Sequence, residues 1–254
     1  RVYIPKPNTD KWRPLGIPTM RDRCYQALHH LILDPVVEEK SDLTSYGFRR
    51  NRSTADAINR IYHILRQNGG RKRWSYWVWD ADIEKCFDEI SHEFLLKTLA
   101  KGHVRDTKPY EQWLKAGVKD KGVIIYPEKG TPQGGIISPL LCNVALNGLD
   151  KIIRPYKNRP NSVQDKKHIG RHFVRYADDF IITSRTREDL ESIISKVKAF
   201  LLKRGLQISE EKTRIVHIDE GFEFLSWEIK NRRFRYDLNK RSETGIQSEK
   251  VLVI

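Results

Sequence analysis

The chain has 254 residues, 39% of them hydrophobic, and a formal net charge of +14. That apolar content suffices to bury a core, as one large domain or two joined lobes, and excludes a disordered polyelectrolyte. The positive excess points to a polyanionic partner, nucleic acid or an anionic membrane surface, and it is uneven: residues 1–75 carry 15 Lys and Arg against 7 Asp and Glu. A basic surface that serves only solubility is the simpler alternative.

Cys24, Cys86 and Cys142 lie far apart, with no C-x-x-C pair and no His at zinc-site spacing, which indicates neither a disulfide framework nor a structural metal. A reducing, cytosolic compartment fits that pattern. No apolar run approaches the roughly 20 residues needed to span a bilayer. The start, RVYIPKPNTDKWRP, lacks the apolar core of a signal peptide, and its beginning without Met reads as an excised piece.

In chain order, RVYIPKPNTDKWRPLGIP predicts a hairpin with its turn around Pro7-Asn8-Thr9-Asp10. Tyr25, Leu28, Leu31, Ile32 and Val36 recur at helical spacing and predict a helix over 21–39 that buries them. A second helix is expected over 53–65, capped by Ser53 or Thr54. The basic NGGRKR, 68–73, reads as a loop, 74–83 as a strand and 91–100 as a helix. KAGVKDKGVIIYPEKGTPQGG suggests a hairpin ending in a Gly-rich turn. One helix is expected over 139–153, with Pro in its first turn, and an exposed loop over 155–170. FVRYADDFII, 173–182, forms a second hairpin, followed by a helix over 187–204 stopped by Gly205 and by strands at 214–218 and 222–229. That order is α+β with mostly antiparallel pairing.

The chemistry concentrates on carboxylates. Asp178 and Asp179 stand at a hairpin tip, where like charges raise each other's pKa, so a cation is needed nearby. A solvated turn is the ordinary alternative. WVWDADIEKCFDEI, 77–90, ends another apolar strand on acid; Asp80 and Asp82 point to one face, and either is able to join the pair. Three converging carboxylates make an oxygen site for hard divalent ions, and two such ions suit in-line phosphoryl transfer. In a basic chain without a nucleophilic triad, nucleotidyl transfer on nucleic acid is the leading chemistry.

The blocks YIPKPNTDKWRPLGIPTMRDRCYQ, SYGFRRNRSTADAI, WDADIEKCFDEISH, KGTPQGGIISPLLCNVALNGLD, VRYADDFII, LKRGLQISEEKT and FEFLSWEI follow one another across nearly the whole chain. In that order they resemble the reverse transcriptase domain of group II intron-encoded proteins, or maturases. The resemblance implies the α+β fingers and palm of a right-hand polymerase, with an antiparallel palm sheet packed by helices. Fingers are expected over 1–77 and palm over 78–254, with about 95–135 returning toward the fingers. The thumb and maturase region are expected to be absent, because the chain ends soon after FEFLSWEI.

By the same resemblance, Asp82, Asp178 and Asp179 are the catalytic metal ligands, joined by the Ile83 carbonyl, and Asp80 is set aside because Phe87 stands five residues after Asp82. The implied cofactor is two Mg²⁺ ions, with Mn²⁺ as a substitute. Lys6 and Arg13 grip the incoming triphosphate, Phe87 fills the sugar pocket in favour of dNTP, and Gln133 contacts the nucleotide. Lys212 protonates the leaving pyrophosphate, and Arg49, Arg50 and Arg52 meet template phosphates. Ser226 departs from the family's usual Gly in the segment that grips the primer. The implied partners are intron RNA as template, a DNA primer or target and dNTPs, in the bacterial cytosol or nucleoid, with an organelle as the alternative. A thumbless chain exposes apolar surface that favours self-association. The competing functions are an RNA-binding maturase module with little catalysis, and the reverse transcriptase of a retron or other bacterial retroelement.

Overall fold

The structure is a computed structural model that describes residues 1–5, 10, 12–66, 75–102, 104–154, 171–230 and 250–253. The expected loops at 68–73 and 155–170 lie outside the described residues. Among the described residues no helix is long and apolar enough to cross a membrane.

The first hairpin forms as expected, β1 (Val2–Pro5) pairing antiparallel with β2 (Trp12–Leu15). Helix α1 (Met20–Lys40) is capped by Thr19, whose hydroxyl accepts from the Asp22 amide. Its burial reverses the expectation. Tyr25, Leu28, Leu31 and Ile32 face outward, each at least half exposed, whereas Gln26, Leu33, Asp34 and Val37 are buried. Two of the buried residues are polar and are satisfied by specific partners: Gln26 Oε1 accepts from the Ile137 amide, and Asp34 pairs with Arg50. Helix α2 (Thr54–Leu65) begins with a reciprocal capping box between Ser53 and Asp56 and buries Ile58, Ile61 and Leu65.

The centre is a four-stranded antiparallel sheet in the order β6 (His172–Tyr176), β7 (Asp179–Ser184), β3 (Trp77–Asp82), β8 (Arg214–His217). Alternation along β3 sends Trp79 and Ala81 to one face and Val78, Asp80 and Asp82 to the other. On the first face Trp79, Phe173, Phe180 and Ile182 join the larger core. Trp79 meets Phe180 edge to face at 5.8 Å. Helices on that side are α3 (Cys86–Glu89), α4 (His92–Lys101), α5 (Lys108–Leu114), α6 (Ser138–Leu146), α7 (Leu149–Ile153) and α8 (Arg187–Leu202). On the second face Val78, Val174, Ile181 and Val216 pack against α2 and a small sheet of β9 (Phe222–Phe224), β10 (Trp227–Lys230) and β11 (Lys250–Val253). A further hairpin, β4 (Val118–Asp120) with β5 (Val123–Ile125), reaches the first one: the Arg1 amine donates to the Lys119 carbonyl, and Tyr3 Oη donates to Asp120 at 2.7 Å.

Two expected elements are divided. The single helix over 139–153 is α6 and α7, because Asn147 leaves the helical region and Gly148 sits at φ 94°, its amide donating to the buried Asp42 carboxylate. The strand over 222–229 is the β9–β10 hairpin, turning at Leu225 and Ser226 with φ 52° and 62°. Positive φ at both central residues is the geometry that matches strand twist in a two-residue loop, and non-glycine residues hide it from a sequence reading.

Candidate active site

The strand register brings the acids together. β3 ends at Asp82 directly opposite Asp179, the first residue of β7, so both side chains leave the same face. Asp178 occupies the two-residue turn between β6 and β7, beside Ala177 at φ 58°. Asp80 lies two residues deeper on that face, and its carboxylate is met by Arg214 at 3.5 Å. Lys212 Nζ donates to Asp82 Oδ2 at 2.8 Å. Ile83, buried, extends β3 by one bridge to Ile208, and the Asp82 carbonyl accepts from the Ser209 amide. Asp80, Asp82, Asp179, Lys212 and Arg214 border an open cleft of about 380 Å³ that Phe224 of β9 and the adjoining Leu225 close.

Charge crowding is plain. Asp179 is open to solvent at its tip, yet the protein packed around its carboxyl, followed by the charges of Asp178, Asp82 and Asp80, pushes its pKa up to about 7. Burial raises Asp178 as well, with Asp82 adding to the shift and Arg13 and Lys212 opposing it. Asp80 rises to about 6, mainly by burial. Lys212 is held above the ordinary lysine value, first by its hydrogen bond to Asp82.

Among the described residues no three His, Cys, Asp or Glu side chains converge tightly enough to hold an ion as they stand. Asp82 is turned to Lys212, and closing the set requires that it exchange the ammonium for a cation. The donor chemistry fits such an ion: oxygen ligands only, from carboxylates that burial first and neighbouring acids second hold above their ordinary pKa.

The residues expected around an incoming nucleotide divide. Lys6 lies outside the described residues. Arg13 is exposed on β2 and near enough to Asp178 to favour its ionised form. Phe87, half-buried, meets Phe48 edge to face at 6.0 Å. Gln133 Nε2 donates to both oxygens of Asp88 at 3.2 Å, and its carbonyl accepts from the Gly16 amide at 2.6 Å, which draws the end of β2 toward this loop. The Thr131 amide donates to the Phe87 carbonyl.

Arg49 corrects the expected template contacts. It is buried, and four of the five N–H donors of its guanidinium go to the two oxygens of Glu38 and to the carbonyls of Asp42 and Ser45, which turns the group inward and away from a phosphate. Arg52 is largely committed too, to the Leu43 carbonyl and over the Tyr46 ring. Only Arg50 stays well exposed, in an ion pair with Asp34 at 2.7 Å. Arg50 and Arg52 border an open polar groove of about 600 Å³ that also gathers Asn59, Arg60 and His63 from α2.

Sequence reasoning missed the support behind the acidic turn. Gly47 lies so close that a Cβ there would sit 2.2 Å from the Ala177 nitrogen. Arg175, fully buried on β6, donates from one nitrogen to Asn143 and to the Ala177 carbonyl. An Arg between β-favouring residues reads as an outward charge, so no local pattern announces its burial.

The family profile described as "Reverse transcriptase (RNA-dependent DNA polymerase)" matches residues 4–229. The chain is 34% identical to Protein YkfC of Escherichia coli, over 93% of this chain and 68% of that protein. It is 32% identical to the group II intron-encoded protein LtrA of Lactococcus lactis, over 92% of this chain and 47% of LtrA. Identity to the putative COX1/OXI3 intron 1 protein of Saccharomyces cerevisiae is 30%, over 90% of this chain and 32% of that protein. The chain thus spans less than half of these intron-encoded relatives. In fold it is similar to telomerase from Candida albicans, with a TM-score of 0.62 at 14% identity over 90% of this chain and 43% of that one.

Proposed function

The chain belongs to the reverse transcriptase (RNA-dependent DNA polymerase) family, and from that premise we propose that it is the fingers and palm of a group II intron-encoded maturase that copies intron RNA into DNA. Enzymes of this family work with divalent metal ions; here the proposed pair is Mg²⁺, with Mn²⁺ as a substitute. The observation that carries the reading is the register that sets Asp82 opposite Asp179 with Asp178 in the adjoining turn.

Asp82, Asp178 and Asp179, with the Ile83 carbonyl beside them, would hold the two ions, whose chemistry when bound would be to activate the primer 3′-hydroxyl and to offset charge on the leaving pyrophosphate. Lys212 keeps a proton on Nζ, since its acidic neighbours favour the charged form, and gives it to the pyrophosphate. Arg13 and Lys6 orient the triphosphate, Gln133 contacts the nucleotide, and Phe87 bars a ribose hydroxyl. Arg50, with Arg60 and His63, meets template phosphates without reading sequence. Intron RNA binding that aids splicing, and a cytosolic location, belong to the same reading.

Primer extension on an RNA template with Mg²⁺ and dNTPs tests it. Extension is expected, and it should vanish on chelation. Tight binding of intron RNA without any extension would replace this reading with that of an RNA-binding maturase module.

A further inference from the structure

Behind the acidic turn the structure holds a polar clamp inside an otherwise apolar core. Arg175 is 0% exposed, and one terminal nitrogen donates to Asn143 Oδ1 at 3.0 Å and to the Ala177 carbonyl at 2.9 Å. Asn143, buried on α6, uses its amide hydrogens on the Gly47 carbonyl at 3.0 Å. Backbone bonds complete the frame: the Arg175 amide donates to the Thr44 carbonyl, and the Tyr46 amide to the Arg175 carbonyl. The loop before α2 is thus stitched to β6, with Gly47 pressed against Ala177.

The buried Asp42 carboxylate offsets part of the Arg175 charge, yet stability alone is a poor account of this arrangement. Among the described residues Arg175 Nε and its other terminal nitrogen have no hydrogen-bond partner, and a buried guanidinium left partly unpaired is worse for stability than a packed apolar side chain. Ala177 adopts a left-handed backbone that a Cβ disfavours, next to Asp178. Strain and a buried charge at one turn are what a fixed ligand geometry requires.

We propose that Arg175 and Asn143 are positioning residues: they hold the Ala177 carbonyl against the Gly47 loop and so set where Asp178 and Asp179 present their oxygens to the catalytic cation. Asn143 has one role toward each side, acceptor for Arg175 and donor for Gly47, so the clamp joins the turn to the chain that leads into α2. The inference rests on the carboxylate site proposed above.

The test is Mn²⁺ binding by electron paramagnetic resonance on the whole protein, beside melting temperature and the Mg²⁺ dependence of primer extension. Wild type should bind Mn²⁺ and Asp179→Asn should not; failure of that control rejects the carboxylate site itself. Arg175→Lys keeps the charge but loses the planar fork, and should weaken Mn²⁺ binding about tenfold, as supporting residues around metal ligands do. The half-saturating Mg²⁺ concentration should rise alike, while KM for dNTP stays within about twofold and the folded fraction is unchanged. An unaltered Mn²⁺ Kd in folded Arg175→Lys overturns the inference, and so does an activity loss that only follows unfolding. Should that variant fail to fold, the near-isosteric Asn143→Asp decides: it keeps the acceptor for Arg175 and removes the donor to Gly47. Weaker Mn²⁺ binding there sustains the inference, and an unchanged Kd overturns it.

Discussion

Asp82 and Asp179 face one another as a directly paired couple across β3 and β7, two acids at a position where like charges oppose folding. Removing one charge should therefore separate stability from activity. Asp179→Asn is expected to raise the melting temperature of the metal-free protein at pH 8 and to lower primer extension by roughly 10³-fold or more, the several kcal/mol that metal positioning supplies. Asp178→Ala should likewise abolish extension and keep the fold, whereas Asp80→Ala should retain substantial activity, because Asp80 is matched by Arg214. Thermal melts and extension rates on the same preparations check all three. Loss of activity in Asp80→Ala with an active Asp82→Ala would reverse the assignment.

The same charges predict a pH dependence, and a second group opposes it. Asp179 has its folded pKa raised from 3.8 to about 7, so the folded form holds the proton more tightly; its contribution is full below about pH 4 and is lost as pH rises toward 7. His172, on β6 facing Arg60 and Arg154, is pushed down by burial from 6.5 to about 4. The folded form resists that proton, and stability falls as pH drops from about 6.5 to about 4. Asp80 and Asp178, both raised, act in the same sense as Asp179, and His172 offsets part of their sum in wild type. Asp179→Asn should tilt the profile toward acid loss, and His172→Phe should tilt it toward a gain of stability on acidification through this window. Melting temperatures taken without divalent metal at half-unit pH intervals would show it; parallel profiles for all three proteins would contradict both assignments.

How far these features are legible in the sequence depends on their range. The paired acids between two β-favouring runs disclosed the β6–β7 hairpin, and alternation along β3 placed Asp80 and Asp82 on one face; both are properties of neighbours in the chain. Alternation has no means of choosing between those acids, since they share a face. Resemblance alone makes that choice; the register sets Asp82 level with Asp179 and Asp80 two residues deeper. Long-range facts stayed hidden. The apolar stripe on α1 fits a buried face, yet the packed side uses Gln26 and Asp34, whose partners Ile137 and Arg50 are set by tertiary structure. Arg49 and Arg50 are adjacent and alike in the sequence, and the positions of Glu38 and of the Asp42 and Ser45 carbonyls send one inward. The parallel β10–β11 pair joins segments separated by residues with no pattern of their own.

That division between two adjacent arginines is testable. Arg49→Ala breaks a charge-assisted network and should cost about 2 to 3 kcal/mol of stability. Arg50→Ala, exposed, should leave stability within about 0.5 kcal/mol and weaken nucleic acid binding nearly uniformly across sequences. Its log–log salt slope should fall by about 0.9 for one lost phosphate contact on duplex DNA and less on single strands. Urea melts and salt titrations separate the two. A reduced slope in a stably folded Arg49→Ala protein would return that residue to the binding surface.

The turn at Leu225 and Ser226 carries two side chains in the left-handed region next to the cleft that holds the acids. Ser226→Gly should relieve about 1 kcal/mol and raise the melting temperature by about 2 to 4 °C for a chain of this size. The gain comes from the backbone alone, so extension kinetics at saturating primer should hardly change. An unchanged or lower melting temperature would mean that the Ser226 side chain contributes something a glycine removes.

Phe87 supplies the test that separates DNA from RNA synthesis. The residue lies five positions past Asp82, half-buried, with its ring edge against Phe48 and its carbonyl held by the Thr131 amide. Its ring has no hydrogen-bond acceptor for a ribose hydroxyl, and if it lies beneath the sugar it fills the volume that hydroxyl needs. Truncation to Ala would open that volume at a stability cost of roughly 3 to 5 kcal/mol for a fully buried ring, less for one that is half-buried. Phe87→Val is gentler and keeps a wall for the base pair. The measurement is the ratio of kcat/KM for dNTP to that for rNTP on one RNA template, with each tenfold fall equal to about 1.4 kcal/mol of lost discrimination. The ratio should fall by one to two powers of ten, about the 1 to 3 kcal/mol that a small steric difference in a pocket provides. Because Phe48 braces the ring, Phe48→Ala should shift the ratio in the same direction by a smaller amount. An unchanged ratio in folded, active Phe87→Val would take the ring out of the sugar pocket, and Phe48 with it.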